Sequence, residues 1–177
     1  MFVLYQFVLL CPSMKTEIDT RFFRAGVGTV IYNQTGEVAL FERAQNPVGI
    51  WQFQQGGIDL GESLETTLWR ELKEEIGLEK SDFSTVTQMP NWTVHQYQHT
   101  VDDVSKSRLG QAHIWYFLEL KSEVEIDLSK ALEHEASDFI WTTFADAVSR
   151  TEELKRHVYQ ELEIYFTEYI LPQQKTA

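Results

Sequence analysis

The chain has one cysteine, Cys11, so no disulfide can form within it. That suits a reducing, cytoplasmic setting. Cys11 sits in an apolar stretch, which is a poor environment for a nucleophile. Positive charge is also short: 15 lysines and arginines face 27 acids, for a net charge of −12. Such a chain gains little from non-specific attraction to nucleic acid, and no stable DNA binding is expected. Any polyphosphate it takes must be held by local cations and metal. Long apolar runs are missing too. The nearest candidate, MFVLYQFVLLCPS at residues 1–13, is too short to span a bilayer and lacks the basic start of a signal peptide. Met14 then opens a more ordinary segment. Residues 1–13 are read as an upstream extension and 14–177 as one domain, with an edge strand or a membrane-touching tail as the alternatives. No repeat or low-complexity tract is visible.

What is present suffices for a core. Hydrophobic residues make up 43 % of 177 positions and aromatics 13 %, enough for one domain and too little length for two. Ala25–Tyr32 and Glu37–Arg43 read as a hairpin around the turn Asn33–Gly36. A short strand is expected at Trp51–Phe53 and a loop from Gly56 to Gly61. Ser63 is a plausible N-cap for a helix running to Ile76, with Gly77 as its left-handed stop. Leu64, Leu68, Leu72 and Ile76 supply its apolar stripe. Another strand pair is expected over 84–98, broken at Pro90-Asn91. Ala112–Leu120 and Phe139–Thr142 read as further strands, and Thr151–Ile170 as an amphipathic helix. Helices packed on a mixed sheet, an α/β (α+β) arrangement, follow from this order.

The helix after Ser63 carries the chemistry. Glu71, Glu74 and Glu75 fall on one face at 100° per residue. Like charges so placed repel, and hard divalent cations would neutralise them. Magnesium prefers carboxylate oxygens and arrives with substrate phosphates; manganese is the alternative. The bland reading is a solvated acidic face with pairs such as Arg70 and Glu74. Against it stands the whole pattern Gly56-x5-Glu62-x7-Arg70-Glu71-Leu72-x-Glu74-Glu75-x-Gly77-Leu78. A chance match at a given start is on the order of 10⁻⁸ or rarer at average residue usage.

This pattern resembles the Nudix box at every defined position. The resemblance implies an α/β/α sandwich with a mixed sheet, and hydrolysis of a pyrophosphate link by water. It implies Glu71, Glu74 and Glu75 as metal ligands and catalytic groups, with the Gly56 carbonyl as a backbone ligand. Glu62 and Arg70 would pair as a structural brace. Further segments resemble bacterial RNA pyrophosphohydrolases and plant-type dinucleoside polyphosphate hydrolases. WQFQQGG is similar to their WQFPQGG, with Gln54 in place of proline. FFRAGVG is similar to YRPNVG and brings Arg24 towards the phosphates. HEASDFIW is similar to PEFDGWRW and singles out Glu135 as a further base or metal ligand, with Glu133 the alternative. Arg43 and Tyr97 match nucleotide-facing positions, although a core or surface role suits either equally. GQAHIWYF is similar to GQKQKWF, so Ala112 and Ile114 stand where two lysines would face the phosphates. His113 is read as a half-buried strand histidine.

The expected partner is thus a nucleotide-type polyphosphate: a dinucleoside polyphosphate or the 5′-triphosphate end of RNA, with nucleoside triphosphates or nucleotide sugars behind. A non-catalytic nucleotide-sensing module is the second reading, disfavoured by the intact box acids. An interaction surface built on the acidic helix is the third.

Overall fold

The computed structural model describes residues 22–44, 49–97 and 108–174. Eight strands make one mixed sheet: β1 (Phe22–Tyr32), β2 (Val38–Arg43), β3 (Trp51–Gln52), β4 (Gln54–Gly57), β5 (Phe83–Gln88), β6 (Thr93–Gln96), β7 (Arg108–Leu120) and β8 (Ala136–Thr142). The central pair, β1 and β7, runs parallel. The remaining pairings are antiparallel: β1 with β2 and β4, β2 with β3 and β8, and β7 with β5 and β6. From Gly26 onward β1 is buried on both faces, as expected of a central strand covered on each side.

Alternation along β1 and β7 divides the core in two. Val27, Ile31, Ile114 and Leu118 turn to one face, where helix α1 (Leu64–Ile76) brings Leu68, Leu72 and Ile76. Val30, Tyr32, Trp115 and Phe117 turn to the other. There they meet α2 (Phe144–Arg150) and α3 (Arg156–Tyr165) through Phe144, Val158, Tyr159 and Leu162. Phe53 stacks on Tyr159 at 4.6 Å, and its backbone N–H donates to the Tyr159 hydroxyl at 2.8 Å. That bond satisfies a buried phenol which would otherwise be costly to bury. The sheet is sandwiched between helices.

Several elements differ from the sequence reading. The Gly56–Gly61 stretch is not all loop: Gln54–Gly57 forms β4, paired with Gly26–Thr29. Glycines hide strands from propensity, because what holds this one is its neighbour and not its side chains. The strands read over 84–98 both pair with β7, not with each other. The single helix expected over 151–170 is a 3₁₀ turn at Glu153–Lys155, then α3, a π turn at Phe166–Ile170 and α4 (Leu171–Gln174). Residues 1–13 and Cys11 lie outside the described residues.

Candidate active site

Helix α1 is fixed at both ends. The Ser63 hydroxyl accepts the Thr66 N–H at 3.1 Å, and Gly77 closes the helix at φ 74°. Its inner face packs by leucines, and the adjoining face presents the acids.

Arg70 organises them. Its Nε and Nη2 donate to the two oxygens of Glu62 at 2.7 and 2.9 Å. Nη2 also donates to the Gly57 carbonyl at 3.0 Å, and Nη1 to Glu71 and Glu74, each at 2.9 Å. Glu62 accepts from the Thr67 hydroxyl at 2.8 Å as well. The Arg70 guanidinium, aided by Thr67, pulls the Glu62 carboxyl down to a pKa of about 2. The expected pair is present, and the same arginine reaches two box acids. It ties the loop, β4 and α1 together through a bidentate clamp.

Gly56 permits the closeness of strand and helix. A Cβ there would stand 2.0 Å from Cδ of Glu71. Gly57 does the same for Arg24, whose Nη2 would lie 2.0 Å from a Cβ. The glycine pair thus lets a carboxylate approach β4 at one residue and a guanidinium at the next.

Two cavities meet at this strand. One, of about 390 Å³, is lined by Glu71, Glu74, Glu75, Glu133 and Glu135 together with Arg24, Arg70 and Gly56. Its acids are crowded. Glu71 is 8 % exposed, and burial pushes its pKa up. Burial, then the charges of Glu71 and Glu135, push Glu75 up to about 9. The group is short of positive charge, since Arg70 bonds to Glu71 and Glu74 but not to Glu75. Every donor is oxygen, the set a hard divalent cation takes, so the residues fit such an ion. Among the described residues no three acids or histidines already close on one point. Glu71 and Glu74 each give one carboxylate oxygen to Arg70 and have a second to offer such an ion.

The second cavity, of about 270 Å³, is lined by Arg43, Lys155, Gln52, Gln111 and His113, and shares Arg24, Gln55, Gly56, Gly57 and Glu135 with the first. Glu135, exposed on the loop before β8, belongs to both; Glu133 lines only the first. Lys155 was not anticipated. It sits half-buried ahead of α3, its Nζ donates to Gln52 Oε1 at 3.4 Å, and burial pushes its pKa down. The one sequence signal was a lysine off the apolar stripe at the start of that helix.

His113 lines this cavity while being 5 % exposed, and stacks on His95 at 6.0 Å. Burial, then the neighbouring His95, Lys155 and Arg24, hold its pKa down at about 3, so the ring is neutral.

One expectation is corrected. Ile114 is 2 % exposed, in the core against α1. The period of two in β7 turns Gln111 and His113 to the cavity and Ala112 and Ile114 away from it, so the latter pair does not stand in a phosphate-facing position. Tyr97 lines neither cavity; it follows β6, edge-on to His95 at 5.9 Å. Arg21 and Lys106, which the sequence offers as further cations for the phosphates, lie outside the described residues.

Comparison with known proteins agrees with this geometry. Residues 22–162 match the NUDIX domain. The chain is 35 % identical over 160 residues to the RNA pyrophosphohydrolase of Shewanella pealeana, covering 89 % of this chain and 91 % of that one. It is 34 % identical over 158 residues to the RNA pyrophosphohydrolase of Pseudoalteromonas translucida, covering 88 % and 91 %. In fold it is similar to the E. coli dihydroneopterin triphosphate pyrophosphohydrolase, with a TM-score of 0.64 and 20 % identity over 81 % of this chain and 99 % of that one. A C. elegans Ap4A hydrolase is similar too, with a TM-score of 0.59 and 19 % identity over 81 % and 99 %. Among the described residues no helix is long and apolar enough to cross a membrane. The chain belongs to the Nudix family and is a hydrolase of pyrophosphate bonds.

Proposed function

We propose that the protein is a magnesium-dependent pyrophosphohydrolase acting on the 5′-triphosphate end of RNA, with dinucleoside polyphosphates as the second substrate class. The observation that carries this is the junction of the two cavities: an acidic one beside a cationic one, meeting at Arg24, Gln55, Gly56, Gly57 and Glu135. The relatives that cover most of the chain carry the RNA reading.

Glu71, Glu74, Glu75, Glu135 and the Gly56 carbonyl would hold the metal, with manganese able to replace magnesium. When bound, the metal supplies charge neutralisation and activates water. Arg24 holds the phosphate chain at the junction, and Arg43 and Lys155 hold it at its far side. Glu135, at the junction, takes the proton of the attacking water. The water oxygen bonds to phosphorus as the bridging P–O bond breaks, and the departing phosphate carries the electron pair. Arg70 and Glu62 keep the glycine loop against α1 throughout. The domain is residues 14–177, with 1–13 as an extension. A lone cysteine suits the cytoplasm.

A hydrolysis screen with products resolved by mass tests this, over triphosphorylated RNA, dinucleoside polyphosphates, nucleoside triphosphates and nucleotide sugars, with magnesium and with chelator. The expected result is chelator-sensitive release of phosphate or pyrophosphate from RNA ends at the highest kcat/KM. A higher kcat/KM on free nucleoside triphosphates or nucleotide sugars overturns the substrate. Binding of nucleotide without turnover at any metal concentration replaces the enzyme with a sensing module.

A further inference from the structure

We infer that Gln54 is a positioning residue for Glu75, holding this acid of the cleft in its place through the side-chain amide. The inference rests on the reading of Glu75 as a metal ligand.

Strand β4 lies against α1, with Gly56 over Glu71. Two residues along a strand span about 6.6 Å, and four along a helix about 6 Å. The steps match, so Gln54 stands over Glu75 as Gly56 stands over Glu71. Both Gln54 and Glu75 line a small void of about 20 Å³, together with Glu135 and Arg43. That is room for a single water.

Gln54 itself is 2 % exposed. Its Oε1 accepts from the Thr29 hydroxyl at 2.9 Å, and Thr29 is its cross-strand partner in β1. Thr29 is 1 % exposed, so both groups are out of bulk water. Its Nε2 is buried without a hydrogen bond of full geometry, and Gln54 lines the same small void as the Glu75 carboxyl. The alternative amide orientation would aim an oxygen at Glu75, two acceptors with no proton between them once the carboxyl is ionised to hold a metal. The present one aims an N–H donor at Glu75 across a gap that one water can bridge. A glutamine serving only to fill the core would leave a buried donor unsatisfied, and an apolar residue would fill the same place at lower cost.

The test is Mn²⁺ binding to the full chain by titration calorimetry, without nucleotide, beside thermal melting of the metal-free protein. Gln54→Leu keeps the volume and removes the donor. Its Kd for Mn²⁺ is expected to rise about tenfold, as when an outer-shell partner of a metal ligand is lost, while the metal-free protein still melts cooperatively, its Tm moved only by the acceptor that the Thr29 hydroxyl loses. Thr29→Val, which frees the Gln54 amide to turn, is expected to weaken binding about threefold, below the usual range for an outer-shell partner. Wild-type affinity in a folded Gln54→Leu, with Glu75→Gln clearly weakened, overturns the inference and leaves the metal site standing. If Gln54→Leu does not fold, Thr29→Val decides: weakened binding supports the inference and wild-type binding overturns it. Wild-type affinity in Glu75→Gln removes the metal reading of Glu75, and the inference falls with it.

Discussion

The acidic and cationic cavities share a strand yet were assembled in opposite ways. The acidic one comes mostly from a single stretch, Gln55 to Glu75, with Arg24 added from β1 and Glu133 and Glu135 from a loop. One helix and its preceding turn fix its geometry, and Arg70 clamps the piece by five hydrogen bonds to four residues. The cationic one draws on β1, β2, β3, β4, β7 and the turn ahead of α3. No segment of the chain contains it. A local site tolerates little change in its own residues, whereas a dispersed site depends on the sheet that gathers it.

The comparison predicts unequal losses. Glu75→Gln keeps the helix and removes a charge from the acidic side. Turnover should fall by ~10²–10⁴, as when a key electrostatic stabiliser is lost, and steady-state kcat measures it. A loss within twofold would remove Glu75 from the chemistry. Arg70→Ala breaks the clamp and leaves Glu62 unpaired. Unfolding free energy should drop by about 2–3 kcal/mol, near the cost of breaking a partly buried charge network. Denaturant titration reads it, and an unchanged midpoint would deny Arg70 its structural part.

On the cationic side, Lys155→Ala should raise KM for triphosphorylated RNA about tenfold, equal to ~1.4 kcal/mol, with kcat changed far less. A drop in kcat at constant KM would put Lys155 at the reacting phosphorus instead. The contrast sharpens if Lys155→Ala and Glu75→Gln split cleanly between KM and kcat.

The two sides also differ in the sign of their pH dependence. His113 and His95 are held down at about 3 and about 4, chiefly by burial. Below pH 6.5 the unfolded chain takes up protons that the fold refuses. The histidine contribution is therefore complete above about pH 6.5 and lost as pH falls towards 3–4. Glu75, raised to about 9 in the metal-free protein, acts oppositely: its contribution is complete below about pH 4.5 and lost as pH rises towards 9. Denaturation at pH 5, 7 and 9 should show Glu75→Gln gaining on wild type as pH rises, and His113→Gln gaining as pH falls. Parallel curves for wild type and variants would show that neither group titrates as described. The smallest effect is expected from removing residues 1–13: melting temperature and kcat/KM should be unchanged, and loss of either would make that stretch part of the domain.

The sequence alone determined the acidic side and its helix, because cap, stripe, stop and acids lie within one run whose period of 3.6 sets their faces. Ser63, Gly77 and the apolar stripe sit where local rules put them. It also set the order of strands and helices, since alternation and turn residues are local signals. The tertiary structure alone decided what depended on partners distant in the chain. β4 became a strand because β1 lay beside it, not through the preferences of two glutamines and two glycines. The facing of β7, with His113 to the cavity and Ile114 to the core, needed the register against β1 and α1. A one-residue difference there exchanges the two faces. Lys155 became a wall of the cationic cavity only when the turn ahead of α3 came to rest beside Gln52, 103 positions away.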